Sequence, residues 1–234
     1  MSIPGSASPL FFQTAAGAAA AAGPIKSVRF NSADSTNLNR TFAAGNRKTF
    51  TLSWWMKRCV LNESNKRIFA KSTGSQQFSI MHNSNGQLYT YFNLESPTDV
   101  STQTFLPQYR DPSAWAHYVL AFDTTQSTDS DRIKFYYNGV QVTDFYGTPN
   151  WPTQNASFKW NNASDTYYIG GIGSYYINAY LADMYHIDGQ QLDCTSFGAF
   201  DDNGVWQAAE YSGTYGTNGF HLFDFANESG IGND

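Results

Sequence analysis

The carboxylates of this chain are few and scattered, which limits its chemistry. Hydrolysis of a glycosidic bond needs two carboxyl groups, about 5–5.5 Å apart for retention of configuration or about 6.5–9.5 Å apart for inversion. None of the four glutamates belongs to an E-x-D-x-x-E pattern, which would align such a pair on one strand. Asp129 and Asp131 alternate suitably, but they fall in the turn sequence TDSDR. The glutamates are Glu63, Glu95, Glu210 and Glu228.

Nucleophilic and metal-dependent catalysis also lack their sequence signatures. The chain has no G-x-S-x-G motif and no C-x-x-C or H-x-x-x-H spacing for zinc. Its four histidines are isolated, and His117, inside an apolar segment, is expected to be a hydrogen-bonded core residue. The sequence GGIG (170–173) lies between predicted strands and indicates a backbone bend, not a phosphate-binding loop. We predict that the protein is not an enzyme.

Aromatic side chains offer the best chemistry for holding a sugar, because an exposed ring pairs an apolar face with a polar edge. Trp151 and Trp160 lie in the polar segment NWPTQNASFKW (150–160), and Tyr175 and Tyr176 follow the Gly-rich bend. These four residues are our candidates for a glycan contact. The alternative is that they seal a core or a subunit interface, as large aromatics commonly do.

Period-two patterns supply the elements that would position these residues. Phe50, Leu52, Trp54 and Met56 alternate with more polar residues and predict a half-buried strand. The segment AWAHYVLAF (114–122) is apolar on both faces and predicts a central strand. RIKFYYNGVQVTDF contains an Asn-Gly pair that predicts a hairpin with a two-residue turn. Many short strands between turns indicate a sandwich or jelly roll.

Composition excludes several classes of partner. The net charge of −5 argues against a nucleic-acid-binding role, which favours a basic surface. Aromatic residues make up 17% of the chain and charged residues 14%, which argues against disorder. No apolar run reaches the roughly 18–20 residues that span a bilayer, so we expect no membrane insertion. Cys59 and Cys194 are expected to be free, mostly buried thiols, with a disulfide between them left open.

Residues 1–24 differ from the rest, since they carry no charged side chain and only one apolar cluster, Leu10-Phe11-Phe12. Three prolines discourage a continuous helix there. We expect an extended arm that orders when its aromatic residues enter a groove on a partner. A disordered tail is the alternative.

The order of the predicted strands resembles that of the laminin-G-like, concanavalin A-like jelly roll. The resemblance covers nearly all of residues 25–195 and implies an all-β antiparallel β-sandwich jelly roll, here with an extended N-terminal arm. Some domains of this type hold Ca²⁺ on loop oxygens, so Asp34, Asp123, Asp183 and Asp188 are weak calcium candidates, with turn capping as the alternative. We otherwise expect no metal or cofactor. The matching segments are SVRFNSADSTNLNRT (27–41), TFTLSWWMKR (49–58), WAHYV (115–119), KFYYNGVQV (134–142), YYIGG (167–171) and YLADMYHIDGQQLD (180–193).

A second resemblance is to tailed-phage virion proteins that carry this jelly roll. It rests on MSIPGSASPL (1–10), AGNRKTFTLSWWMKR (44–58) and FDDNGVWQAAEYSGTYGTNGFHLFDF (200–225). It implies a structural virion protein, made in the host cytoplasm, of the tail-fibre, appendage or adaptor kind. Capsid decoration or a head fibre, and a lectin-like module that binds host surface polysaccharide, are the alternatives. Because the chain stops at Asp234, we expect a short appendage, an adaptor or a decoration protein instead of a long fibre.

This resemblance also divides the chain. Residues 1–24 would be an anchoring arm, residues 25–195 the jelly roll, and residues 196–234 a Gly/Tyr-rich extension that packs on the domain or on a neighbouring subunit. The expected partners are other virion proteins, copies of the same chain and a host glycan. A trimer is favoured as a common fibre arrangement, although no residue distinguishes three subunits from two. The expected docking residues of the arm are Ile3, Pro4, Leu10, Phe11 and Phe12.

Overall fold

Alternating apolar residues build the chain into antiparallel strands joined by short turns. The structure is a computed structural model that describes residues 26–71, 78–95, 99–223 and 225. The five expected docking residues of the arm therefore lie outside the described residues. The strands are β1 (Ser27–Phe30), β2 (Leu38–Thr41), β3 (Thr49–Arg58), β4 (Lys66–Lys71), β5 (Phe78–His82), β6 (Gln87–Asn93), β7 (Val100–Gln108), β8 (Ala116–Asp123), β9 (Ile133–Tyr137), β10 (Val140–Val142), β11 (Thr166–Ile169), β12 (Ala179–Asp188), β13 (Gly198–Phe200), β14 (Trp206–Ala208) and β15 (Phe220–Leu222).

Two sheets account for most of these strands. Sheet A has the order β1-β12-β3-β8-β9-β10, and β15 also pairs with β12. Sheet B has the order β2-β11-β4-β5-β6-β7. Strands β13 and β14 form a separate pair, and three short 3₁₀ helices lie among the described residues. The predicted fold class, an all-β antiparallel sandwich, is confirmed.

The predicted Asn-Gly hairpin joins β9 to β10. Asn138 has φ 45° and Gly139 has φ 83°, so both residues are left-handed, as a type I′ turn requires. Gly139 also makes room for a neighbour, because a Cβ atom there would lie 2.2 Å from the indole ring of Trp206. Glycine at position 139 is therefore required both by the backbone conformation of the turn and by its packing against Trp206.

The main core lies between the two sheets and is dominated by aromatic rings. Phe50 stacks on Phe122 with ring centroids 4.4 Å apart, and Trp54 stacks on Tyr118 at 5.4 Å. Phe78, from sheet B, contacts this group from the opposite side.

The inward-facing set of β3 is the one that the alternating pattern predicts, but the expectation of a half-buried strand is wrong. Thr51, Ser53 and Trp55 on the opposite side are also buried, because the segment 192–215 covers that face.

A second core covers the outer face of sheet A. Trp55 and Tyr185 point outward from β3 and β12, and the segment 192–215 lies over them with Phe197 and Trp206. The indole Nε1–H of Trp206 donates to His117 Nδ1 at 3.0 Å. Since Nδ1 accepts, the other nitrogen carries the proton and Nε2–H donates to Ser53 Oγ at 2.8 Å. The expectation that His117 is a hydrogen-bonded core residue is confirmed.

Both cysteines are free thiols. Cys194 is buried in the second core, but Cys59 is exposed, so the expectation that both are buried is wrong for Cys59. Cys59 follows the last residue of β3, where the strand leaves the sandwich. No helix in the described residues is long and apolar enough to cross a membrane.

Candidate functional site

The outer face of sheet B carries a group of tyrosines that the chain leaves half-exposed. Strand registry places Tyr168, Ala70, Ser79 and Tyr91 in one row across β11, β4, β5 and β6. Their inward neighbours Phe69 and Ile80 belong to the main core, so this row faces away from it. Tyr168 and Tyr91 thus flank two small, fully buried side chains, and the row continues beyond them to Asn39 and Thr102. Three strand spacings separate Tyr168 from Tyr91 by roughly 14 Å.

A second row lies beside the first and contains Arg67, Met81 and Tyr89. A bulge in β4 between Arg67 and Phe69 shifts the register, so that Arg67 and Ala70 share one face. We refer to Arg67, Ala70, Ser79, Met81, Tyr89, Tyr91, Tyr168 and Tyr175 together as the tyrosine face.

The loop after β11 adds Tyr175 to this face. Its carbonyl oxygen accepts from the backbone N–H of Arg67 at 3.0 Å, and its ring lies over the Arg67 guanidinium, 4.4 Å from Cζ to the ring centroid. The bend depends on Gly171, which has φ 137° and whose added Cβ atom would lie 2.4 Å from the Cα of Tyr176. The Gly-rich bend therefore brings Tyr175 to β4.

Two buried polar atoms of the tyrosine face lack hydrogen-bond partners among the described residues. Within the described ranges, Arg67 Nε and Ser79 Oγ are buried without a hydrogen bond. Arg67 is only 4% exposed. Burial lowers the pKa of its guanidinium, and the Tyr175 phenol partly offsets that effect. The face thus holds buried donors that nothing described in the chain satisfies.

The Tyr89 phenol is a neutral hydrogen-bond donor at physiological pH. Burial raises the pKa of Tyr89, and the neighbouring Tyr91 raises it further. The two rows contain no aspartate or glutamate. The arrangement can therefore stack on a flat apolar surface, donate hydrogen bonds and attract negative charge.

The tryptophans of the expected glycan contact lie elsewhere. Trp160 is 1% exposed and donates its indole N–H to His186 Nε2 at 3.1 Å, so it belongs to the core and the expectation of a sugar contact is wrong. Trp151 is half-buried and packs edge-on against Phe145 with centroids 5.3 Å apart. Tyr175 is 41% exposed and joins the tyrosine face. The structure does not bring the two tryptophans and the tyrosines into one shelf.

Tyr176, the fourth expected residue, is half-buried beside Gly171.

The four calcium candidates are also dispersed, and their oxygens accept hydrogen bonds. Asp123 accepts from Thr49, Thr125 and Gln126, and Asp188 accepts from the backbone N–H of Asn46. In the described part of the chain no three His, Cys, Asp or Glu side chains gather into a metal-binding group.

The other two calcium candidates have similar partners. Asp183 accepts from His221 at 2.6 Å, and Asp34 accepts from the Asn31 side chain at 2.9 Å. Turn capping, the alternative role, is shown for Asp123, which accepts from the backbone N–H of Thr125 at 3.0 Å. Asp183 and Asp188 instead lie in β12 and accept from residues far along the chain.

Sequence reasoning missed Arg67, Tyr89, Tyr91 and Tyr168. The signal for two of them was present, because Tyr89 and Tyr91 alternate with the buried Leu88, Thr90 and Phe92 in QLYTYF. Nothing local marks Arg67, whose position depends on a bulge and on a loop far along the chain.

Comparisons with known proteins agree with this architecture. A family model described as the concanavalin A-like lectin/glucanases superfamily matches residues 30–188. A search of curated protein sequences found no match.

Solved structures give distant likenesses. A native heptameric SAP-like pentraxin from Limulus polyphemus is 18% identical, with a TM-score of 0.46, over 67% of this chain and 70% of that one. The binding domain of botulinum neurotoxin DC, solved with rat synaptotagmin II, is 18% identical, with a TM-score of 0.42, over 64% of this chain and 34% of that one. A Trypanosoma rangeli sialidase is 14% identical, with a TM-score of 0.43, over 63% of this chain and 21% of that one. No functional conclusion follows from these likenesses.

Proposed function

The chain belongs to the concanavalin A-like lectin/glucanase superfamily, and on that premise we propose that it is a lectin-type module that binds an oligosaccharide on its tyrosine face. The observation that supports this most directly is the state of Tyr89, Tyr91 and Tyr168. All three are half-exposed on a sheet face, and within the described residues no ring contact or hydrogen bond holds them. Aromatic rings with a free phenol suit the apolar faces and hydroxyl groups of sugars.

The dimensions of the face favour an extended ligand. Tyr91 and Tyr168 lie roughly 14 Å apart across three strand spacings, which suits an oligosaccharide better than a single sugar. Each contact would be weak alone. Display of several copies on one particle would raise avidity by about 10²–10⁴-fold when the geometry permits simultaneous binding.

We also propose that binding is not followed by cleavage. A glycosidase requires two carboxyl groups about 5–9.5 Å apart across the bond, and the two rows of the tyrosine face contain neither aspartate nor glutamate. The protein would therefore retain a glycan without releasing reducing ends from it.

The test is binding of the full chain to a panel of immobilised bacterial surface oligosaccharides. We expect the double variant Tyr91→Ala/Tyr168→Ala to lose at least about tenfold in affinity for whichever member binds, with its folding checked by circular dichroism. Tyr180→Ala is the matched control, because Tyr180 is a half-buried tyrosine of sheet A that contacts Arg29 and Trp115. Undiminished binding by the double variant, or no binding by the wild type, would contradict the proposal.

We propose a second role, as a homo-oligomeric structural protein of a tailed-phage virion, made in the host cytoplasm, that presents this module to the host. The resemblance of residues 1–10 and 200–225 to such proteins supports it. A set of exposed apolar residues supports the oligomer, since Val140, Phe200 and Val205 are 60%, 53% and 39% exposed. Phe200 contacts Trp206, Val205 precedes it in the chain, and Val140 follows Gly139, which the indole ring approaches. Such a set suits contact with a second copy of the chain.

Two measurements test this second role. Light scattering should show an oligomer for the wild type and a smaller mass for Val140→Ser/Phe200→Ser. Incorporation into phage particles should fail for the full chain carrying Phe11→Ser and Phe12→Ser, while Tyr180→Ala is incorporated normally. A monomeric wild type would argue against the subunit contact, and normal incorporation of the arm variant would argue against docking through Leu10-Phe11-Phe12.

A further inference from the structure

Arg67 differs from the other buried side chains that lack a hydrogen-bond partner. Among the described residues with such an unpartnered nitrogen or oxygen, it alone carries a permanent charge. The others are neutral indoles, phenols, a hydroxyl and an imidazole whose pKa burial holds well below its ordinary value. An unpaired buried charge costs far more than an unpaired neutral group. The others are Trp54, Trp55, Ser79, His82, Tyr109 and Tyr185.

The fold satisfies its other buried arginines. Arg58 donates to the carbonyl oxygens of Tyr109 at 2.8 Å and Leu61 at 2.9 Å. Arg132 donates to the carbonyl oxygen of Pro152 at 2.8 Å and pairs with the Asp129 carboxylate at 2.6 Å. For the Arg67 guanidinium, the described residues supply the Tyr175 ring over Cζ but no hydrogen bond to the buried Nε. A structural role like that of Arg58 or Arg132 therefore does not account for Arg67.

The surroundings of Arg67 suit an anion from outside the chain. The two rows of the tyrosine face contain no carboxylate that could pair with it. Ser79 Oγ, a second unpartnered donor, lies on the same face of β5, two residues from Met81, the registry partner of Arg67. A guanidinium fork and a nearby hydroxyl together suit the two oxygens of a carboxylate.

We propose that the tyrosine face is selective for glycans that carry a carboxylate, as uronic and sialic acid residues do, and that Arg67 binds that carboxylate. This inference rests on the proposed function, since it names the class of sugar that the same face accepts. Tyr175 covers the guanidinium and is itself 41% exposed, so a carboxylate that binds Arg67 would displace this ring toward solvent. The neighbouring tyrosines then hold the rest of the chain of sugars.

The experiment measures affinity of the full chain for immobilised acidic oligosaccharides, each beside its carboxyl-reduced counterpart, which differs only in lacking the charge. We expect the acidic member of a pair to bind about tenfold or more tightly. Arg67→Gln should bind both members alike, at the level of the reduced one. Arg110→Gln is the matched control, because Arg110 is exposed and donates to the Asn85 carbonyl oxygen at 2.9 Å.

The wild-type comparison needs no variant and remains decisive if Arg67→Gln fails to fold. Equal binding of both members by the wild type would overturn the role of Arg67 and leave glycan binding by the tyrosines standing. Binding of no oligosaccharide at all would overturn both proposals. Arg67→Lys keeps the charge without the planar fork, so it should retain a smaller preference for the acidic member.

Discussion

The two outer faces of the sandwich meet the same physical problem in different ways. On sheet A, Trp55 and Tyr185 project outward, and the C-terminal segment returns to bury them under Phe197 and Trp206. On sheet B, tyrosines project outward in the same manner, and the described chain leaves them half-exposed. Burial of the aromatic side chains on a sheet face, by the chain itself or by a bound molecule, is energetically favourable. The chain itself covers one face, and the other is the face that we propose binds a ligand.

The largest effect should come from removing that intramolecular cover. Trp206→Ala deletes a 6% exposed ring and leaves His117 Nδ1 without its donor, so we expect a loss of about 3–5 kcal/mol in the free energy of unfolding. Tyr91→Ala on the tyrosine face should cost less than about 1 kcal/mol, because that ring has little packing to lose. Urea unfolding of both variants measures the difference. Equal costs would show that the two faces are structurally alike.

Substitution of the neighbouring residue Val205 tests whether the loss in Trp206→Ala comes from the indole ring or from any change in this turn. Val205→Ala, next to Trp206 and exposed, should change the free energy of unfolding by less than about 0.5 kcal/mol. A large loss there would mean that the β13–β14 turn, and not the indole, holds the cover in place.

The second-largest effect is a dependence of stability on pH. It originates in two buried histidines, His186 in the main core and His117 beneath the segment that covers sheet A. Burial lowers the pKa of both His117 and His186 to about 3, whereas an unfolded histidine titrates near 6.5. Between these values the unfolded chain binds protons that the folded chain does not, so stability falls as pH falls from 6.5 toward 3. From pH 6.5 to pH 5 the loss is about 2 kcal/mol for each histidine.

Urea unfolding at several pH values checks this, and His117→Gln isolates one contribution. The variant should have a shallower slope of unfolding free energy against pH, because one of the buried bases is gone. An unchanged slope would mean that His117 binds protons equally in the folded and unfolded states, so that burial does not lower its pKa. The tyrosine face contains no histidine, so glycan binding by the folded protein should change little over the same range.

The contrast between the faces also explains what the sequence could reveal. The inward set Phe50, Leu52, Trp54 and Met56, the Asn-Gly hairpin and the core role of His117 were all predicted, because each follows from a local period or a local turn rule. The polar neighbours of Trp160 make it a candidate glycan contact, and the structure shows the alternative, burial in a core. Its burial depends on Phe42, Phe78 and His186, which no local pattern connects to it.

The candidate site was predictable only in part for the same reason. Tyr175 was identified from its place after the Gly-rich bend. Arg67 could not be, since its environment is created by a bulge in β4 and by a contact with that distant loop. Strand β15 is a similar case, because its pairing with β12 joins the C-terminal extension to sheet A. Neither the hydrophobic periodicity nor the composition of the sequence shows which distant segments pair or in which register.

The smallest expected effect on the free energy of unfolding concerns Tyr175, whose ring contacts Arg67, unlike the rings of Tyr89, Tyr91 and Tyr168. The contact of Tyr175 with Arg67 involves the ring and not the phenol oxygen, so Tyr175→Phe should leave the free energy of unfolding unchanged within about 0.5 kcal/mol. Tyr175→Leu removes the cation–π contact and should cost about 0.5–1 kcal/mol. If Tyr175→Leu costs nothing, the ring does not stabilise the guanidinium. Arg67 would then be as free of internal partners as the tyrosines beside it, which would widen the difference between the two faces.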